Sequence, residues 1–381
     1  MKKSYLVTLL FLSGILFVSS CSKDSEKTSV IPADPGTPVP TTTVNNLNTA
    51  ISNPAITNEG DGVISITLLG IEDPKTGTLI DLKGTGSGQT VWVEEDGVNK
   101  GILVEKVNRM KSTGGYPVDA VFIVDNSGSM SEEADSIASQ ISSFASFLEA
   151  NGIDLRVGCV GHYGEVNGAL NITTVDKLKT YLGKYTGTSR TSYFGGTETE
   201  ADALETNAQN FCSNYNGDEN AIPSLLFADK YFSWRPGAAR FYITFTDEAL
   251  QPEVGTFDLP EFQSKWKYSN GIVNSVFSLK DYYWNGAQPD TTSEHENSLE
   301  WNLTTAVRPW ALARHSGGVE MYIHSDCKDL DLKKLKATSM LSQSSILKLK
   351  TTNISGKHVL KFVVKNGSSD GYRIINDVTY N

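Results

Sequence analysis

The feature that most constrains this chain is the apolar segment Val121-Phe-Ile-Val, which ends in Asp125 and two alternating serines, Ser127 and Ser129. A continuous apolar run of this kind is typical of a strand buried on both faces of a sheet. Beyond it, apolar residues recur at helical spacing, with acidic residues in the first turns and Gly152 past the end. The pattern predicts a strand, a polar loop and a helix. Oxygen side chains on such a loop suit a hard divalent cation.

Two later segments add candidate ligands to this loop. Thr197 follows a pair of glycines at the start of a helical pattern, and Asp247 follows a second buried-type strand, Arg240–Thr246. In order and spacing, five residues resemble the metal-ion-dependent adhesion site (MIDAS) of the von Willebrand factor type A (vWA) domain: Asp125, Ser127, Ser129, Thr197 and Asp247. The resemblance covers about residues 115–340.

The resemblance implies an α/β fold over residues 113–342, a vWA-type doubly wound, mostly parallel sheet flanked by helices. Residues 45–112 and 343–381 instead contain short strands separated by turns, which predicts a small all-β, sandwich-like part. These two segments either complete one discontinuous β domain, into which the larger domain is inserted, or form two separate pieces packed against it.

The resemblance also implies how the site works. The hydroxyl groups of Ser127 and Ser129 are expected to bind Mg²⁺ or Mn²⁺ directly, and Thr197 to bind it when a partner is engaged. Asp125 and Asp247 are expected to act largely through bound water. Neutral ligands leave the cation electron-poor, and one coordination position stays open for a carboxylate from a protein or glycan partner.

The amino-terminal residues read as an export signal. Residues 1–20 carry Lys2 and Lys3, then an apolar run and small residues. The following cysteine completes Val18-Ser-Ser-Cys21, which resembles a bacterial lipobox and predicts lipidation of Cys21. The alternative is an ordinary signal peptide with a chance cysteine. If Cys21 is lipidated, the lipid is expected to be the only contact with the membrane. The protein is then expected in the cell envelope, anchored at the outer membrane and facing either the periplasm or the cell surface. Residues 21–44, rich in Pro, Thr and Ser, read as a linker.

Composition excludes one class of partner and leaves the cysteines undecided. The formal charge is −11, and removal of residues 1–20 deletes two lysines and no acids, which gives −13. Such a negative chain is not expected to bind nucleic acid. Cys159 lies in a predicted buried strand, whereas an oxidising compartment would permit a disulfide between Cys212 and Cys327. The sequence does not fix the oligomeric state.

Three function classes fit these observations. The favoured one is a non-catalytic cell-envelope lipoprotein that binds a protein or glycan through the metal site, in adhesion or surface binding. The second is a scaffold or assembly factor of a secretion or surface complex. The third, a metal-dependent hydrolase, is disfavoured because the hydroxyl-rich site has no evident general base and the histidines show no nucleophile pattern. His162 and Tyr163 are expected either near the metal or on a solvated turn.

The lipobox-like sequence generates a first prediction. Cys21→Ala should release the mature protein from membranes or leave the precursor uncleaved, because the variant lacks the thiol that would carry the lipid. Membrane fractionation and intact mass are the measurements. An unchanged mass together with unchanged fractionation would show that Cys21 carries no lipid.

Overall fold

The computed structural model describes residues 30–48, 50–52, 54–106, 116–131, 133–184, 186, 202–213, 218–253, 255–279, 284–285, 288–289 and 306–380. Internal contacts divide the chain into Met1–Val30 and Ile31–Asn381. All described helices and strands belong to the second unit.

The described strands and helices are numbered in the order in which they occur along the chain. The strands are β1 (Ala55–Gly60), β2 (Val63–Leu68), β3 (Glu72–Asp73), β4 (Thr78–Leu79), β5 (Val91–Glu95), β6 (Val98–Asn99), β7 (Ile102–Lys106), β8 (Tyr116–Asp125), β9 (Ile153–Tyr163), β10 (Glu165–Thr173), β11 (Ala239–Thr246), β12 (Ile272–Leu279), β13 (Trp284–Asn285), β14 (Gln288–Pro289), β15 (Glu320–His324), β16 (Ser345–Lys350), β17 (His358–Asn366) and β18 (Ser369–Val378). The helices are α1 (Ala134–Ala150), α2 (Val175–Leu182), α3 (Asp202–Phe211), α4 (Ala221–Tyr231), α5 (Leu259–Lys265), α6 (Trp310–Ser316) and α7 (Lys336–Ser342).

A six-stranded sheet in the order β10-β9-β8-β11-β12-β15 carries the apolar segment that ends at Asp125. Successive side chains of β8 point to opposite faces, and both faces are covered. Phe122 and Val124 belong to an apolar core shared with α1 and α2. Val121 and Ile123 belong to a second core, shared with α4 and α5. The continuous apolar run therefore follows from burial on both sides.

The segments before and after this part of the chain share two antiparallel sheets, ordered β1-β2-β16-β7 and β18-β17-β5-β6. β16 pairs with both β2 and β7, and β17 pairs with β5. Inward-facing residues of both sheets form one apolar core, which includes Ile66, Val93, Leu347 and Phe362. Strands that are far apart in sequence therefore depend on one another for burial.

Residues from 31 onward in the predicted linker contact these sheets. Asp34 accepts hydrogen bonds from the Lys100 ammonium at 2.6 Å and from the Gly101 backbone at 2.9 Å. Farther along, the Asp370 carboxylate accepts backbone N–H groups of residues 43–45. These bonds, that from Asn45 first, lower the pKa of Asp370 to about 2. The described part of this segment is thus bound to the β-rich part rather than extended away from it.

The prediction of a vWA-type doubly wound, mostly parallel fold was wrong. The chain is mixed α/β, and four of the five sheets formed by the described residues are antiparallel throughout. The sheet that has parallel strands is itself mixed, because β9 and β10 form an antiparallel hairpin around Gly164, whose φ is +66°. A short glycine turn can join only antiparallel neighbours, whereas parallel pairs need a longer crossover.

The three cysteines in the described part of the chain form no disulfide. Cys159, Cys212 and Cys327 are all free and buried. The disulfide that the sequence left open between Cys212 and Cys327 is therefore absent. Each thiol instead packs in an apolar core, as a small hydrophobic side chain does.

The strand pairing generates a second prediction. A chain that ends at Ser342 lacks β16, β17 and β18, so β2 and β7 lose the strand between them and residues 45–112 should become sensitive to protease. Limited proteolysis with mass spectrometry tests this.

A matched pair of point variants tests the shared core of the two β-rich sheets. Leu347→Ala, at a buried position, should lower the free energy of unfolding by about 2–5 kcal/mol. Val359→Ala, at an exposed position, should change it by less than about 0.5 kcal/mol. A protease-resistant amino-terminal fragment in the truncated chain would show that the segments fold independently.

Candidate metal centre

Asp125 is the last residue of β8, and both oxygens of its buried carboxylate accept hydrogen bonds. Oδ1 accepts the backbone N–H of Ser127 at 2.8 Å, and Oδ2 accepts the hydroxyl of Thr246 at 2.7 Å. Thr246 is the last residue of the adjacent parallel strand, β11. The backbone N–H of Asn126 donates to the carbonyl of His162 at 2.7 Å, which ties the loop to β9. Three neighbouring strands therefore fix the position of this carboxylate.

A chain of hydrogen bonds runs from the Asp125 carboxylate through Ser127 and Ser129 to Asp247. The two serine hydroxyls lie 2.8 Å apart, and the Ser129 hydroxyl donates to Asp247 Oδ1 at 3.0 Å. Ser127 is buried and Ser129 is exposed, so the cluster reaches solvent on the Ser129 side. Four of the five predicted ligands thus lie together at the ends of β8 and β11. The fifth, Thr197, lies outside the described residues, as does Cys21.

The structure adds a residue that the sequence analysis missed. Carboxylate oxygens of Asp125, Glu219 and Asp247 all lie within 4.8 Å of one another and could hold a metal ion. Glu219 precedes α4, whose first turn is capped by Asn220 through its acceptance of the Ile222 N–H. A sequence signal was present in the acidic residues of this loop, which come directly before an apolar helix.

Burial and mutual repulsion make this acidic cluster unfavourable without a cation. Burial first, and then the charge of Asp125, raise the pKa of Asp247 to about 8. The same two causes in the same order raise the pKa of Glu219 to about 9. At the cluster's separation, each pair of carboxylates repels by on the order of 3 kcal/mol if the effective dielectric constant is about 20. A bound divalent cation would reverse this balance.

The side chain of His162 also indicates that a polar ligand binds beside Asp125. It pairs with Asp125 across β8 and β9, and paired residues point to the same face of a sheet. Its side chain is fully buried, and neither ring nitrogen has a hydrogen-bond partner in the described part of the chain. Burial lowers its pKa, which favours the neutral ring. Tyr163, by contrast, is exposed at the hairpin. Of the two alternatives for this pair, a position beside the candidate metal ligands applies to His162, and a solvated turn applies to Tyr163.

The donor set fits a hard cation. Every candidate ligand offers oxygen, from serine hydroxyls or carboxylates, and oxygen is what Mg²⁺, Mn²⁺ and Ca²⁺ prefer. Oxygens on opposite sides of one ion lie about 4.2 Å apart for Mg²⁺ and about 4.6–5.2 Å apart for Ca²⁺, twice the usual metal–oxygen distances. The 4.8 Å limit on the carboxylates is compatible with a single shared ion of either size.

Comparisons with known proteins add little to this geometry. The chain matches no family model and no curated protein. Among solved structures it is similar to the pilus adhesin SpaC from Lactobacillus rhamnosus GG, in an open conformation, with 10% identity and a TM-score of 0.30. The similarity covers 90% of this chain and 55% of the adhesin, about half of its length. A likeness this distant carries no argument about function. Within the described residues, no helix has the length and apolarity needed to cross a membrane.

A third prediction follows from the repulsion in the cluster. Mg²⁺ should raise the Tm of the wild-type protein, because the cation binds the folded state and offsets the buried negative charge. Asp247→Asn should raise the Tm in EDTA and abolish the Mg²⁺ response. The folded pKa of Asp247 lies above its ordinary value of 3.8, so in EDTA stability should fall as pH rises from about 4 to about 8. The Mg²⁺ effect should therefore be larger at about pH 9 than at about pH 5.

Differential scanning calorimetry in EDTA and in Mg²⁺ measures these shifts. Asp176→Asn is the matched control, because Asp176 carries the same charge on α2 with its side chain 96% exposed. Its Mg²⁺ response should equal that of the wild type. An equal response from Asp247→Asn would contradict the assignment.

Proposed function

We propose that this chain is a non-catalytic binding protein of the cell envelope that holds a protein or glycan partner through a divalent cation. The cation is Mg²⁺ or Mn²⁺, and its ligands are Asp125, Ser127, Ser129, Asp247 and, when a partner is engaged, Thr197. The partner offers a carboxylate to the ion. The observation that carries this proposal is the convergence of two serine hydroxyls, the buried carboxylate of Asp125 and the half-buried carboxylate of Asp247 at a point where the Ser129 side reaches solvent.

Accessibility favours partner binding over a sealed structural ion. A structural ion is enclosed by protein ligands, whereas the hydroxyl of an exposed residue, Ser129, lies on this cluster. An ion held there can exchange a water for an oxygen of another molecule. Adhesion or surface binding is thus the function that this geometry supports best.

A scaffold or assembly role in a secretion or surface complex is the second candidate. It uses the same ion and differs only in the partner, so the chemistry at the site does not separate the two. A metal-dependent hydrolase is the weakest candidate. Its attacking water needs a general base, and the imidazole of His162 is fully buried, with no hydrogen-bond partner for either ring nitrogen among the described residues.

Export and anchoring through lipidated Cys21 belong to the same proposal. The acyl chains would hold the protein at the outer membrane, facing the periplasm or the cell surface. The support is the signal-like sequence of residues 1–20 and the lipobox-like Val18-Ser-Ser-Cys21 at its end.

A fourth prediction tests the cation requirement. Isothermal titration should detect Mg²⁺ binding to the wild type and not to Asp125→Ala, because Asp125 organises the loop that carries both serines. Asp176→Ala, remote and exposed, should bind Mg²⁺ as the wild type does. Capture of a partner from envelope extract should need Mg²⁺ and disappear with EDTA or with Asp125→Ala. Thr197→Ala should weaken partner capture more than Mg²⁺ binding.

Two results would contradict the proposal. One is equal Mg²⁺ binding by the wild type and Asp125→Ala, and the other is the absence of binding to either under any condition. The identity of the captured partner separates an adhesin from a scaffold. With an acidic partner, moderate salt should speed association with this negative chain, because salt screens the long-range repulsion.

A further inference from the structure

Glu219 is an acidic side chain of the cluster that the proposed ligand set does not use. Its side chain is 8% exposed, and its Oε2 has no hydrogen-bond partner among the described residues. A carboxylate oxygen in a buried position without a donor is costly unless a cation binds it. The fully buried His162, with two unsatisfied ring nitrogens beside Asp125, marks the same spot independently of the acids.

The backbone around Glu219 is fixed at this position. The Gln251 N–H donates to the Glu219 carbonyl at 2.8 Å, and the Asp218 N–H donates to the Gln251 carbonyl at 3.1 Å. Asn220 then caps α4 and donates its side-chain amide to the Phe257 carbonyl at 3.0 Å. Because the loop is held on both sides of Glu219, its carboxylate is presented to Asp125 and Asp247.

We propose that Glu219 binds the cation directly and occupies the coordination position that a partner's carboxylate would take, so that the two exclude each other. This inference rests on the proposed function, since it concerns the same ion. Glu219 then acts as an internal competitor, and the partner binds by displacing it.

The charges explain why the two carboxylates exclude each other. Asp125, Glu219 and Asp247 together bring three negative charges to an ion of charge +2, which leaves the assembled site at about −1. A fourth carboxylate added to these would be repelled by the site as well as short of a coordination position. If Glu219 leaves the ion, the two aspartates balance the +2 charge of the cation, and the partner's carboxylate meets an ion without an excess of negative ligands.

Displacement has two consequences. The ion is retained more tightly when no partner is present, because Glu219 is one of its ligands. The apparent affinity for a partner is lowered by the fraction of sites that Glu219 occupies. A partner must therefore compete with a ligand that is already in place. The same competition lowers the affinity of the ion for small carboxylates such as acetate.

Bound Mn²⁺ reports this directly, because the relaxation of water protons counts the exchangeable waters on the ion. The test uses the purified full chain as wild type, Glu219→Ala and Glu219→Gln. Both variants should bind Mn²⁺ at least about tenfold more weakly than the wild type. Glu219→Ala should carry one more exchangeable water on the ion. Acetate, the carboxylate probe, should remove a water from Glu219→Ala at a lower concentration than from the wild type.

Glu248→Gln is the matched control, because Glu248 lies near enough to raise the pKa of Asp247 but is not one of the three clustered carboxylates. It should keep the wild-type water count and acetate response. The inference is overturned if wild type binds Mn²⁺ and Glu219→Ala shows neither an added water nor a stronger acetate response. That outcome leaves the proposed function intact. Either of two results would overturn both the inference and the proposed function: absence of Mn²⁺ binding to the wild type, or Mn²⁺ binding by Asp125→Ala equal to that of the wild type.

Discussion

The hydrogen bond from Thr246 to Asp125 is the contact on which the arrangement of the site depends. It joins the ends of β8 and β11 at 2.7 Å in a buried position. The parallel register of these strands, in which Phe245 pairs with Val124, brings Asp247 to the same edge as the Asp125 loop. A shift of one residue would turn the Thr246 side chain to the other face of the sheet and break its hydrogen bond to Asp125. Apolar packing on both faces of β8 fixes that register, so the cores determine the site geometry.

The β-rich sheets stabilise the chain by a different route. Their strands come from both sides of the six-stranded sheet in sequence, and β16 occupies the centre of one four-stranded sheet. The edge strand β18 would expose unpaired backbone groups, but residues 43–48 bond to it through Asp370, Leu47 and Asn48. Covering an edge in this way limits unwanted pairing with other chains. The end of the predicted linker, at residues 43–44, therefore covers this sheet edge together with the first residues of the β-rich segment.

How far the sequence predicts this structure differs between residues. The buried strand at Val121 and the convergence of Asp125, Ser127, Ser129 and Asp247 follow from local patterns, because strand ends and polar loops are encoded nearby. Strand direction is not encoded in the same way, and the fold class was wrong for that reason: antiparallel pairing depends on the turn between β9 and β10 and on partners far along the chain, such as β16 for β2. The sequence did not identify Glu219 as a candidate ligand, because its position depends on backbone hydrogen bonds between its loop and Gln251, which is distant in sequence.

The balance of charge at the site sets what it can bind. Hydroxyl ligands such as Ser127 leave a cation electrophilic and ready to accept an anion, whereas each added carboxylate makes it less so. Two aspartates can neutralise a divalent ion, and a third acid exceeds that balance. Burial, and then the charge of Asp125, raise the pKa of Glu219 to about 9, because a negative charge is unfavourable at this position without a cation. Retention of the ion and access to it are then controlled by a single side chain.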